Sequence, residues 1–157
     1  MNIDADRIAP KLYLGRYPCE TEVLQYKHHF QAFIYCAKEC LPSANKVLVP
    51  HQYHYGLNDL PTMSGRDMRL IEEASDFAVQ LHTSGARIHF SCAMGINRSA
   101  VVLALTMMKL GIKTQDAINL IREKRNTKHL MVDRGTQALA NRTFVAFLQQ
   151  HRINMDW

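Results

Sequence analysis

The segment Cys92-Ala93-Met94-Gly95-Ile96-Asn97-Arg98-Ser99 sets a thiol, a glycine, a guanidinium and a hydroxyl at short spacing. A chain that turns tightly out of a strand and into a helix points successive N–H groups into one concavity, and the helix dipole adds to their positive field. Gly95 permits a backbone conformation that a side chain would resist. Arg98 adds a planar fork matching two phosphate oxygens. The same field favours the thiolate at a cysteine next to a helix N-terminus and an arginine. Cys92 is thus a candidate nucleophile, and Ala93, Met94, Gly95, Ile96, Asn97 and Arg98 are candidate phosphate-binding residues. The implied chemistry is phosphoryl transfer through a phosphocysteine, driven by positioning and electrostatics. The leaving group then needs a proton. Asp59 can supply it, and can afterwards activate water. Ser99 can donate to the sulfur and help it leave. Asp59 also fits a plain turn residue after Asn58, and Ser99 a plain first-turn helix residue. Asp67 is a rival acid, but its spacing from Ser64 suits a helix cap.

These residues need a strand before Cys92 and a helix after Arg98. Arg87 to Ser91 reads as a strand with Ile88 and Phe90 on one side, and Ser99 to Leu110 as a buried helix stopped at Gly111. Upstream, Lys11 to Gly15, Ala32 to Cys36 and Lys46 to Val49 read as strands. His51 to Pro61 reads as a loop carrying Asp59. A helix capped by Ser64 ends at Ser84-Gly85. Thr114 caps another, and Arg134 to Gln150 forms the last, with Leu139, Phe144 and Leu148 on one stripe. Strands alternating with helices predict an α/β fold: a central twisted, mostly parallel sheet of about five strands with helices on both faces. Functional loops of such sheets lie outside the carboxyl ends of the strands, where Cys92 to Arg98 falls.

The chain has 157 residues, 47% of them hydrophobic and 21% charged, which suits one folded domain over residues 1–157 and disfavours extensive disorder. No run reaches the length a bilayer span requires, and Met1 to Asp6 lacks the apolar core of a secretory signal, so no membrane partner is expected. The expected location is the cytoplasm, with the nucleus as the alternative, and a monomer is the default. The net charge of +5 favours anionic partners in general. The basic cluster Arg122 to Lys128 lacks interleaved aromatics and reads as a solvated helix end. Cys19, Cys36, Cys40 and Cys92 are expected as free thiols. Cys36 or Cys40 is a candidate to trap an oxidised Cys92 as a disulfide. Cys36, Cys40, His51 and His54 are spaced unlike common zinc sites, so no metal is expected.

Ser91 through Ser99 resembles the signature of the protein tyrosine phosphatases, His-Cys-x5-Arg-Ser/Thr. Lys11-Leu12-Tyr13-Leu14-Gly15, the place of Asp59 before Cys92, and Asn141 with Phe144 are similar to the small dual-specificity branch. The likeness covers most of residues 8 to 150. It implies a protein phosphatase that hydrolyses phosphotyrosine and phosphoserine or phosphothreonine in a shallow pocket, without cofactor, acting on phosphorylated protein substrates. It also implies Cys92 as nucleophile, Asp59 as general acid and Ser99 as helper. Ser91 stands where that family usually has histidine. It offers a hydroxyl but no imidazole, and predicts weaker activation of the thiol and slower turnover.

Two other functions stay open. The Gly-Ile-Asn-Arg run and the basic charge are similar to RNA 5′-phosphatases and triphosphatases of the same superfamily, the one case in which nucleic acid would be a partner. That branch usually continues with Thr-Gly and dispenses with the acid, whereas this chain has Ser99-Ala100 and Asp59. A catalytically weak module that binds phosphorylated partners is the second, suggested by Ser91 alone.

Overall fold

A computed structural model describes residues 2–130 and 136–155, with side chains to His151. The elements run β1 (Asp6–Ala9), β2 (Leu12–Arg16), α1 (Glu20–Tyr26), β3 (Ala32–Ala37), β4 (Gln52–Leu57), α2 (Gly65–Thr83), β5 (Ile88–Cys92), α3 (Arg98–Lys109), α4 (Thr114–Lys124) and α5 (Arg142–Met155). The five strands form one sheet in the order β1-β2-β5-β3-β4. β1 pairs antiparallel with β2, and the remaining pairs are parallel. This is the predicted mostly parallel sheet with helices on both faces. Every residue of β3 and of β5 is buried, as expected of strands covered on both sides.

Residue parity divides the core. Leu12, Leu14, Ala32, Ile34, Cys36, Ile88, Phe90 and Cys92 pack into one cluster with residues of α2, α3, α4 and α5. Phe33 and Tyr35 face the other side, against Val23 of α1 and Phe30. α3 is buried from Arg98 to Met108 and packs on the sheet and on α2, α4 and α5. A helix covered all round must be apolar all round, which accounts for its run of Ala, Val, Leu and Met.

Several boundaries differ from those read in the sequence. Lys46 to Val49 is a turn, because Asn45 Oδ1 accepts from Val47 N at 2.8 Å and the Asn45 carbonyl accepts from Leu48 N and Val49 N. Such short-range acceptance starts turns. The fourth strand is instead Gln52–Leu57, inside the segment read as a loop. It is an edge strand of mixed polarity, and buried Gln52 bonds to Tyr35 Oη at 2.7 Å and to the Val49 carbonyl at 3.0 Å. Gly15 lies within β2 rather than closing it. A Cβ there would come within 1.7 Å of the Asp4 carbonyl oxygen, so Gly15 serves a close backbone approach. Lys113 takes the N-cap position of α4, with Thr114 as its first helical residue. The last helix starts at Arg142, where Asn141 Oδ1 accepts from Thr143 N and Phe144 N. Leu139 is buried in the preceding turn at φ +60, and Arg134 lies outside the described residues.

Candidate active site

Three parallel strands deliver the site from their carboxyl ends. β5 ends at Cys92, β3 leads to Glu39 and β4 leads to Asp59. The loop after β5, which is the central strand, carries the cradle. Every carbonyl from Ala93 to Ile96 accepts a hydrogen bond from outside the loop. Tyr17 N donates to Ala93 O at 3.4 Å, Arg125 Nη2 to Met94 O at 2.8 Å, Arg125 Nε to Gly95 O at 3.0 Å and Leu139 N to Ile96 O at 2.8 Å. The N–H groups of residues 93–97 donate to no protein group among the described residues. With the oxygens held outward, the loop offers its amides to a bound anion. Gly95 has φ +70, and a Cβ there would meet the Gly15 carbonyl oxygen at 2.5 Å, so this position needs glycine twice over.

Cys92 is 3% exposed, and its Sγ lies 3.1 Å from Ser99 Oγ. Arg98 is buried, with Nη1 and Nη2 each donating to one Glu39 carboxylate oxygen at 2.8 Å, and with Nη1 also 3.3 Å from the Leu57 carbonyl. Its Nε has no partner among the described residues. A buried donor without a partner is costly, and this one is left over after Glu39 has taken the two ends of the fork. The guanidinium beside it holds the Glu39 carboxyl below its ordinary value.

Asp59 is exposed on the loop that follows β4. Its Oδ2 accepts from Asn97 Nδ2 at 3.0 Å, and its Oδ1 from Asn141 Nδ2 at 2.7 Å. The structure thus brings Asp59 beside the loop that holds Cys92 and Arg98. Asp67, the rival, sits at the start of α2, where its N–H donates to Ser64 Oγ at 3.1 Å and its carboxylate bonds to Arg66.

Ser91 lies in β5 between residues whose side chains enter the Cys92 face. Its buried Oγ has no partner among the described residues, so the hydroxyl supplies no bond to the sulfur. Cys36 and Cys92 lie one residue beyond the paired Tyr35 and Ser91, on the same face of adjacent strands. Burial pushes the Cys36 thiol well up, and Cys92 adds to that. Cys40 lies past the end of β3, only partly buried. Among the zinc candidates, His54 Nε2 bonds to the Ala37 carbonyl and His51 Nδ1 to Tyr53 Oη, so both imidazoles are engaged elsewhere.

Sequence reasoning missed Glu39, Arg125, Asp4 and Asp6. Glu39 had one usable signal, its place just beyond the carboxyl end of a predicted strand. Arg125 was assigned to a solvated helix end, yet its side chain is fully buried. It donates to both Asp4 carboxylate oxygens and to Asp6 Oδ2, each at 2.8 Å, as well as to the two loop carbonyls. Burial alone would raise the Asp4 carboxyl; the Arg125 guanidinium outweighs it and holds the group below its ordinary value. Arg122 likewise turns inward, onto the Ala138 and Leu139 carbonyls.

Comparison with known proteins gives the family and the fold. Residues 12–138 match the family described as "Dual specificity phosphatase, catalytic domain", so the chain belongs to the dual-specificity phosphatases of the protein tyrosine phosphatase superfamily. It is 26% identical over 130 residues to human dual specificity protein phosphatase 16, a match covering 80% of this chain and 19% of that protein. The chain therefore spans about a fifth of that relative's length. Its fold is similar to human tyrosine phosphatase-like serine/threonine/tyrosine-interacting protein, with a TM-score of 0.77 at 20% identity, covering 98% of this chain and 99% of the other. A mouse putative dual specificity phosphatase complexed with zinc tungstate gives a TM-score of 0.76 at 17% identity, covering 99% and 91%. Among the described residues no helix is long and apolar enough to cross a membrane.

Proposed function

We propose that this protein hydrolyses phosphate monoesters on phosphorylated protein substrates, phosphotyrosine and phosphoserine or phosphothreonine alike, through a phosphocysteine at Cys92. The observation that carries this is the cradle that follows the buried Cys92: its carbonyls are tied outward, and among the described residues its amides and the buried Arg98 Nε have no protein partner. In the first step the Cys92 sulfur attacks phosphorus, the S–P bond forms and the P–O bond to the leaving group breaks. Asp59 gives its proton to that departing oxygen. In the second step Asp59 takes a proton from water, whose oxygen attacks phosphorus, and the sulfur leaves with the help of Ser99. The amides of residues 93–97 and Arg98 hold the phosphoryl oxygens through both transition states.

Asp59 beside the cradle supports this reading over an RNA 5′-phosphatase, for which no acid would be required. The intact Cys92, Ser99 and Arg98 constellation supports turnover over capture alone. The test is phosphate release from an aryl phosphate, from phosphotyrosyl and phosphothreonyl peptides, and from a 5′-triphosphate RNA. Wild type is expected to act on the first three, and Cys92→Ser on none. Activity that survives in Cys92→Ser, or that appears with RNA alone, would overturn the proposal.

A further inference from the structure

We infer that Asn97, a residue of the phosphate loop itself, is a positioning residue that orients the acid Asp59, with Asn141 as its partner; this rests on the function proposed above. Asn97 Oδ1 accepts from Asn141 N at 2.9 Å, while its Nδ2 donates to Asp59 Oδ2 at 3.0 Å. A backbone N–H can only donate, so the Asn97 atom facing it must be the oxygen, and the amide group must face Asp59. The same reasoning sets Asn141. Its Oδ1 accepts from Thr143 N and Phe144 N at the start of α5, which turns its Nδ2 to Asp59 Oδ1 at 2.7 Å and to the Leu60 carbonyl at 3.0 Å. Thr143 Oγ1 adds a bond to the Pro61 carbonyl.

Each Asp59 oxygen thus receives one amide and keeps a second lone pair, where the catalytic proton can reside. The carboxyl group stands on an exposed loop and owes its orientation to these bonds. Asn97 directly precedes Arg98, so the residue that aims the acid belongs to the same loop that holds the phosphate. The distance from acid to leaving oxygen is then set by the cradle instead of by a separate closing motion. Proton donation is sensitive to such placement.

The test compares substrates that need the proton with one that does not. Asn97→Ser shortens the side chain below the reach of Asp59. Asn97→Asp keeps the length and the acceptor for Asn141 N, but replaces the donor to Asp59 with a repelling oxygen. kcat/KM is measured for phenyl phosphate, whose leaving group needs protonation, and for dinitrophenyl phosphate, whose leaving group departs as a stable anion. Both substrates share the phosphoryl group, so any change in its binding cancels in their ratio. Both variants are expected to lose about 10- to 100-fold on phenyl phosphate and about 2-fold or less in excess of any binding change on dinitrophenyl phosphate. Loop amides 58–60 should also exchange hydrogen faster in both variants. If the wild type is active and Cys92-dependent, equal losses on both substrates, or no loss, would overturn this inference alone. An inactive wild type would overturn the phosphatase proposal and this inference with it.

Discussion

Replacing Arg125 by methionine removes the group that ties the phosphate loop to the N-terminal segment. The guanidinium is fully buried, and Asp4 beside it has only 7% of its side chain exposed. Methionine approximates the lost length but leaves the Met94 and Gly95 carbonyls without donors and strips the Asp4 carboxylate of its guanidinium, with only Arg16 N at 3.0 Å and His129 Nε2 at 3.1 Å remaining beside it. Breaking a buried pair by deleting one partner costs about 3–5 kcal/mol, and each unsatisfied carbonyl adds about 1 kcal/mol or more unless water reaches it. Taking the lower ends, about 3 kcal/mol for the pair and about 1 kcal/mol for each of the two carbonyls, the loss is about 5 kcal/mol. With a urea slope of about 2 kcal/mol per M, the unfolding midpoint should fall by about 2.5 M. Domains of this kind hold about 5–15 kcal/mol in all, so a rescue variant is needed. Asp4→Asn on the Arg125→Met background removes the uncompensated charge and should restore about half the loss. The Asp4 carboxyl is held below its ordinary value in the fold, so its contribution is complete above about pH 4 and fades as pH falls through the folded value. The gap between wild type and Arg125→Met should narrow in that range. In folded variant protein, inorganic phosphate should bind about 10-fold or more weakly, because the loop carbonyls are no longer held outward. The measurements are urea unfolding followed by far-ultraviolet circular dichroism and competitive inhibition by phosphate. A midpoint within about 0.5 M of wild type at pH 7, or no rescue by Asp4→Asn, would refute the reasoning.

Three further outcomes are expected. His89 is fully buried, and burial pushes its pKa down to about 4 from an ordinary 6.5. The unfolded chain therefore takes up a proton that the fold refuses. Stability should fall as pH drops below 6.5, by about 2 kcal/mol at pH 5, and His89→Asn should lack that slope in urea unfolding. Ser99→Ala should slow breakdown of the phosphocysteine more than its formation, giving a larger pre-steady-state burst with a slower steady rate; equal slowing of both steps would count against the 3.1 Å sulfur contact having that role. Hydrogen peroxide should oxidise the Cys92 thiol to a sulfenic acid with release of water. The Cys36 thiol then attacks that sulfur, expelling a second water as the disulfide forms. Neighbouring strands lie about 4.8 Å apart, within the range a disulfide bridges. Peptide mapping should find Cys36 joined to Cys92, and thiol reductant should restore activity in wild type better than in Cys36→Ser. A Cys40–Cys92 bridge would contradict the strand register.

The chemistry that runs along a contiguous stretch of chain was legible before the fold. Strand, loop and helix succeed one another from Ile88 to Lys109, and the spacing of Cys92, Gly95, Arg98 and Ser99 is a local property of that succession. The parallel sheet was legible for the same reason, since buried strands are written as apolar runs and helices as a 3.6-residue pattern. β4 escaped because an edge strand rich in His, Gln, Tyr and Gly carries neither pattern, and the Lys46 to Val49 turn was misread because propensity does not register the hydrogen bonding of Asn45. What remained hidden was everything set by strand order. Placing β5 between β2 and β3 lines up the ends that carry Cys92 and Glu39, with Asp59 past the edge strand. It also lets Arg125 reach Asp4 across 121 residues of chain. No residue type announces such a meeting, because its energy comes from desolvating partners together, and that happens only once the layers have closed.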